Sequence, residues 1–141
     1  MKHGWRSGLE EVLGQQLDLE KVRYTYEQLT IPFIPRPKQR RYKPDFVLLD
    51  NGIIVESKGR FITADRQKHL EVQAQHPDLD IRFVFSNSRA RISKQSQTSY
   101  ALWCQSKGFQ YADKRIPLEW IREFPNEKSL AAIKRLMEAK K

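Results

Sequence analysis

Leu9, Val12, Leu13 and Leu17 recur at helical spacing behind Ser7-Gly8-Leu9-Glu10, a capping-box pattern, which predicts a first helix from about Gly8 to Asp18. Val22, Tyr24 and Tyr26 then alternate with polar residues, as a strand does, and Ile31, Phe33 and Ile34 extend the apolar pattern. Pro32, Pro35 and Pro37 interrupt any regular sheet, and Arg36 to Lys43 reads as an extended linker or arm. Two apolar runs follow, Phe46 to Leu49 and Ile53 to Val55, joined by Asp50-Asn51-Gly52; Asn-Gly between such runs predicts a hairpin. Thr63 is positioned to cap a helix reaching about Gln75, where His76-Pro77 ends it. Beyond lie a strand over Ile81 to Phe85 and a helix over Ser99 to Lys107 stopped by Gly108. A short strand over Phe109 to Tyr111 and a helical turn over Pro117 to Ile121 come next. Asn126 caps a last basic helix or tail, residues 126–141, built on Leu130, Ile133 and Met137. Helix, strands, hairpin, helix, strand, helix is the order of an α/β fold: a mixed central β-sheet flanked by helices.

Composition narrows the partner. With 26 Lys and Arg against 17 Asp and Glu, a formal net charge of +9 suits a polyanion. A merely well-solvated basic surface is the bland alternative. At 141 residues the chain is long enough for one compact domain and too short for two. Cys104 is the only cysteine, which excludes an intramolecular disulfide and a cysteine-based zinc site. No stretch approaches the roughly 18 apolar residues of a membrane span, and Met1 to Gly8 lacks an apolar signal core. A soluble, cytoplasmic protein is expected, with no membrane partner.

Chemistry concentrates around the hairpin. Pro44-Asp45 opens its first strand, and Glu56-Ser57-Lys58 closes its second, eleven positions after Asp45. Strand alternation puts Glu56 and Lys58 on one face, and the turn brings Asp45 beside them. Two carboxylates and an ammonium suit phosphodiester hydrolysis, because hard divalent ions prefer carboxylate, carbonyl and water oxygens. The Ser57 carbonyl offers another hard ligand, and Lys58 can stabilise charge on a phosphate. By spacing alone, an exposed Glu56–Lys58 ion pair worth about 0–1 kcal/mol explains the same residues.

Pro-Asp followed by Glu-x-Lys resembles the signature of the PD-(D/E)xK nucleases. Longer segments resemble the phage endonuclease I family of Holliday-junction resolvases within that superfamily: Trp5 to Glu10, Tyr42 to Phe46, Asn51 to Gly59 and His76 to Arg82. Val84-Phe85-Ser86, Thr98-Ser99-Tyr100 and Ala112-Asp113-Lys114 do so too, in the same order, from about Trp5 to Glu123.

The resemblance implies one nuclease domain over residues 1–141, with Asp45 bridging metal ions, Glu56 ligating one, Ser57 offering its carbonyl, Lys58 catalytic and Glu10 serving a second metal position. Mg²⁺ or Mn²⁺, two ions per active site, is the implied cofactor. Glu10 also fits the capping box without catalysis. The implied partner is branched DNA, especially four-way junctions, cut by paired nicks leaving 5′-phosphate and 3′-hydroxyl ends in the host-cell cytoplasm. A segment-exchanged homodimer is implied as well, each site taking Glu10 from one subunit and the rest from the other, with the bridge near residues 30–43. Arg36, Lys38, Arg40, Arg41 and Lys43 are candidate phosphate contacts, and Arg60, Arg66, Lys68, Arg89, Arg91 and Lys94 are further ones. His69 and His76 invite a general-base role, but packing or helix ending explains them better, as core packing does Tyr100, Trp103, Tyr111 and Trp120. Two departures from the family pattern stand out: Thr25 replaces an acidic residue, and Asp50 is inserted in the catalytic hairpin. The competing readings are a nuclease of the same superfamily acting on nicked or single-stranded DNA, and a noncatalytic junction-binding protein.

Overall fold

A computed structural model describes residues 4–35 and 39–139. Helix α1 (Gly8–Leu19) leads into β1 (Tyr24–Tyr26), β2 (Ile31–Phe33) and β3 (Arg40–Tyr42). The hairpin β4 (Phe46–Leu48) and β5 (Ile53–Lys58) follows, then α2 (Thr63–Gln75), β6 (Asp80–Phe85), α3 (Tyr100–Lys107) and β7 (Tyr111–Asp113). A short α4 (Leu118–Ile121) and a longer α5 (Glu127–Ala139) close the chain.

Five strands form one sheet in the order β1-β4-β5-β6-β7. The β1–β4 and β4–β5 pairs are antiparallel, whereas β5–β6 and β6–β7 are parallel, so the sheet is mixed as expected. Parallel neighbours need a crossover, and α2 and α3 supply the two. Burial follows the strand alternation. Ile53 and Val55 join Leu13 and Leu17 of α1, Phe46 and Trp120 in one cluster, while Ile54 joins Val72 of α2, Phe83, Trp103 and Ile133 in the other. Helices therefore flank both faces. By the same alternation Glu56 and Lys58 fall on the α2 side of β5, and Ser57 on the α1 side.

Several boundaries differ from the sequence expectation, each for a local reason. Ile31 to Phe33 does not extend β1; it pairs with Arg40 to Tyr42 as a separate two-stranded sheet. Pro32 is tolerated because a two-stranded ribbon has only edges. The predicted arm is thus partly a strand folded back on β2 within one chain; its residues 36–38, including Arg36 and Lys38, lie outside the described residues. Thr63 is the first helical residue of α2 and not its cap, a place taken by Ile62, whose side chain makes no capping bond. The last strand lies at Tyr111–Asp113, two residues later than expected, because Phe109 turns into the core. Ser7, Ser99, Gly108 and Asn126 behave as read: the Ser7, Ser99 and Asn126 side chains accept from the amides of Glu10, Leu102 and Ser129, and Gly108 ends α3 with a left-handed backbone.

Trp5, unreadable in the sequence, pins the start of the chain. Its ring lies against the Cα of Gly14 on α1, where a methyl group would overlap it, and packs edge-on to Tyr26 at 4.4 Å between centroids. Gly14→Ala is expected to destabilise the protein by about 1–2 kcal/mol, overpacking outweighing the gain in helix propensity. The check is a lowered denaturant midpoint with red-shifted tryptophan emission; an unchanged midpoint contradicts the packing role.

Candidate active site

Asp45 stands just before β4 and is buried. One of its oxygens, Oδ2, accepts from the Ser57 amide at 2.9 Å and the Ser57 hydroxyl at 2.7 Å. Ser57 therefore fixes the Asp45 rotamer across the hairpin. Glu56, also buried, accepts at Oε2 from the Tyr42 hydroxyl at 2.5 Å and from the Asp45 amide at 3.2 Å. Lys58 Nζ lies 3.9 Å from Glu56 Oε1 and 3.5 Å from Asp65 Oδ1, so the lysine is held between β5 and the first turn of α2. The inserted Asp50 is absorbed at the hairpin tip, where it pairs with Arg23 at 3.0 Å and leaves the Phe46–Val55 and Val47–Ile54 register intact.

Glu10 keeps only the Ser7 half of the capping box, because its carboxylate engages the Tyr26 hydroxyl in place of the Ser7 amide. Its backbone amide is capped by Ser7, while its carboxylate accepts the Tyr26 hydroxyl and turns toward Asp45. Carboxylate oxygens of Glu10, Glu27 and Asp45 lie within 4.8 Å of one another, a grouping with the donor chemistry of a hard-cation site. All of these residues meet within one chain. Residues 4–33 contribute Glu10 and Glu27, residues 40–139 contribute the rest, and the covalent link between the two halves runs through residues 34–39.

Burial dominates the electrostatics of the site. Burial, then the neighbouring Asp45, pushes the Glu56 carboxyl up to about 8, with Lys58 and the Tyr42 hydroxyl opposing. Asp45 is also raised, chiefly by burial, against the two Ser57 hydrogen bonds. Tyr42 is held well above the usual phenol range by burial and by Glu56, so it remains a donor. Lys68 lies 5.0 Å over the Tyr42 ring, and burial with nearby Lys58 lowers its ammonium from the ordinary value. Lys68 thus stands in the wall of the site.

The remaining basic candidates divide. Arg66 is a correction: it is buried, with its guanidinium donating to the Phe61 carbonyl at 2.5 Å and the Thr63 hydroxyl at 3.0 Å, so it closes the β5–α2 loop and is not free for phosphate. Arg60, Arg91 and Lys94 are exposed and line one cleft of about 470 Å³ with Ser93 and Tyr100, beside the end of β5. Arg40, Arg41, Lys43 and Arg89 are exposed. His69 is packed in the core against Tyr42 and Phe83, kept neutral by burial, with no hydrogen-bond partner on either ring nitrogen among the described residues. The His76 ring donates to the Pro32 carbonyl. Tyr100, Trp103 and Trp120 are buried as expected.

Sequence reading missed Tyr42, Asp65, Arg6 and Glu27. Glu27 had no local signal: it lies one residue past β1, where strand alternation no longer sets the direction of a side chain. A left-handed bend at Glu27, with its amide donating to the Asp45 carbonyl at 3.2 Å, sets it beside Asp45. The Thr25 hydroxyl is buried with no hydrogen-bond partner among the described residues.

Buried acids and a lysine converge at the end of a mixed sheet in a strongly basic chain, and its family and relatives make it an endodeoxyribonuclease. The chain belongs to the phage endonuclease I family, whose sequence profile matches residues 1–140. It is similar to Endonuclease I of Escherichia phage T7, with 45% identity over 131 residues that cover 93% of this chain and 87% of that protein. It is also similar to Endodeoxyribonuclease 1 of Enterobacteria phage T3, with 45% identity over 119 residues covering 84% and 78%. Among the described residues, no helix is long and apolar enough to cross a membrane.

Proposed function

We propose that the protein is a structure-selective endonuclease of PD-(D/E)xK type that resolves four-way and related branched DNA by divalent-metal-dependent hydrolysis with paired nicks. The observation that carries the reading is the convergence of Asp45, Glu56 and Lys58 at the end of β5, with Glu10 brought to the same place by α1.

The residues fit a divalent cation. Two buried carboxylates, raised first by desolvation, lie close together where a cation would stabilise their charged forms, and every donor is a hard oxygen. Asp45, Glu56 and the Ser57 carbonyl would hold one Mg²⁺ or Mn²⁺, and Glu10 with Asp45 a second. Such an ion supplies a bound water of lowered pKa and neutralises phosphate charge. The protein's own groups do the rest. Ser57 fixes Asp45, Tyr42 orients Glu56, and Lys58, steadied by Asp65, presents an ammonium to the charge that develops on the scissile phosphate.

DNA is read by backbone charge and branch shape, not by a base code. Arg60, Arg91 and Lys94 form a phosphate cleft beside the site, and Arg40, Arg41, Lys43 and Arg89, with Arg36 and Lys38, extend the basic surface. A homodimer supplies two sites for two equivalent strands. Segment exchange across residues 34–39 preserves every contact described above while moving Glu10 to the partner's site, and Pro35 stiffens that passage. Action in the host-cell cytoplasm follows from a phage nuclease of this kind.

The test is cleavage of a labelled four-way junction and of a linear duplex with the same arms, in Mg²⁺, Mn²⁺ and EDTA. Metal-dependent, symmetric nicking of the junction is expected. Binding without cleavage in either metal refutes the enzyme, and equal cutting of both substrates refutes the junction preference. Charge removal at the cleft, Arg91→Ala with Lys94→Ala, is expected to weaken junction binding and flatten the plot of log affinity against log salt by about 0.9 per lost phosphate contact. An unchanged slope removes the cleft from the DNA surface.

A further inference from the structure

Arg6 precedes the Ser7 cap and reaches into the open side of the site. Its Nη2 lies 2.5 Å from Glu27 Oε2 and 3.9 Å from Asp45 Oδ1, and Tyr26 and Glu10 are also among its electrostatic neighbours. The side chain is 67% exposed, whereas that of Asp45 is 6% exposed. Arg6 therefore swings out at little cost while the carboxylate stays. Trp5, seated on Gly14, fixes the backbone from which the arginine reaches. Three carboxylates within 4.8 Å of one another repel, and the Arg6 guanidinium is a cation beside them that relieves the repulsion.

We propose that Arg6 is the resident counter-ion of the metal-free site, displaced from Asp45 when a divalent ion enters beside Glu10. Glu27 is the positioning residue that keeps Arg6 from closing fully on Asp45. The inference rests on the metal reading above and adds a device to it: loading of the Glu10 side of the site is a cation exchange. Metal affinity there is set by how firmly Arg6 sits as well as by the ligands. Glu27 acts through Arg6, so removing Glu27 lets the guanidinium close on Asp45 and weakens metal binding.

The experiment is calorimetric titration of Ca²⁺ alone and of Mn²⁺ alone into the full chain without DNA. The proteins are wild type, Arg6→Gln, Glu27→Gln, Arg6→Gln/Glu27→Gln and Arg6→Lys, with thermal midpoints to confirm folding. Arg6→Gln is expected to tighten one binding event by about threefold to fivefold, the scale of an exposed ion pair, and Arg6→Lys to restore wild-type affinity. Glu27→Gln is expected to weaken that event, and the double variant to match Arg6→Gln. An Arg6→Gln protein that binds no tighter than wild type overturns the exchange. A Glu27→Gln effect that persists in the Arg6→Gln background makes Glu27 a ligand in its own right and overturns its positioning role. Absence of binding in all five proteins refutes the underlying metal reading, an outcome distinct from either of these.

Discussion

Lys58→Met is expected to slow junction cleavage by about 10²–10³-fold, the effect of removing one preorganised charge from a reacting phosphate, while junction affinity changes little. The reason is geometric. Lys58 is held from two sides, by Asp65 at 3.5 Å and Glu56 at 3.9 Å, and its side chain is only 14% exposed, so it does not act as one more surface cation. In the proposed function, phosphate contacts elsewhere on the basic surface determine affinity, and this ammonium meets the charge that appears only as the bond breaks. Single-turnover cleavage measured beside equilibrium junction binding separates the two effects. A folded Lys58→Met protein that cuts at the normal rate refutes the assignment. One that loses binding in proportion to cleavage reduces Lys58 to a phosphate contact.

The parts of the fold legible in the sequence were those decided locally. The helix over residues 8–19, the hairpin around Asn51-Gly52 and the caps at Ser7, Ser99 and Asn126 follow from period, turn chemistry and capping. The central site was legible for the same reason: Asp45, Glu56 and Lys58 lie on one hairpin, so alternation and a tight turn suffice to bring them together. What the sequence concealed depends on long-range packing. Tyr42 reaches Glu56 only because β3 folds back on β2, a pairing that its prolines and basic residues argued against. Arg66 looks like a phosphate contact in a list of cations, but the loop after β5 leaves carbonyls that need a donor, and Arg66 supplies it. Glu27 required two facts that no window contains, the β1–β4 register and the bend that ends it. Glu10 shows a competition that the sequence left open: a capping box and the site both call on its carboxylate, which here engages the Tyr26 hydroxyl and lies near Asp45.

Glu56→Gln is expected to abolish cleavage and, in EDTA, to make the protein more stable than wild type at pH 8 and above. The sign follows from burial. The folded-state carboxyl of Glu56 titrates at about 8 against an ordinary 4.5, so its contribution to stability is fully present below pH 4.5 and is lost as pH rises through about 8. Above that, the wild-type protein holds a buried carboxylate beside a second one, Asp45, with Lys58 offering only partial compensation. Glutamine keeps an acceptor for the Tyr42 hydroxyl and the Asp45 amide without taking on charge. A gain of roughly 1–4 kcal/mol is the scale for relieving such a buried charge, which is several degrees in thermal midpoint for a domain of this size. Metal reverses the order. An ion that binds only the native state stabilises wild type by about 2.7 kcal/mol at a hundredfold excess over its dissociation constant, whereas the variant, lacking a charged ligand, gains far less. Thermal unfolding of both proteins in EDTA and in Mg²⁺, from pH 5 to 9, therefore gives curves that diverge with rising pH in EDTA and approach or cross in Mg²⁺. If Glu56→Gln is less stable than wild type in EDTA at pH 9, Glu56 is a structural partner of Tyr42 first, and the buried charge that argues for a metal at this site loses its support.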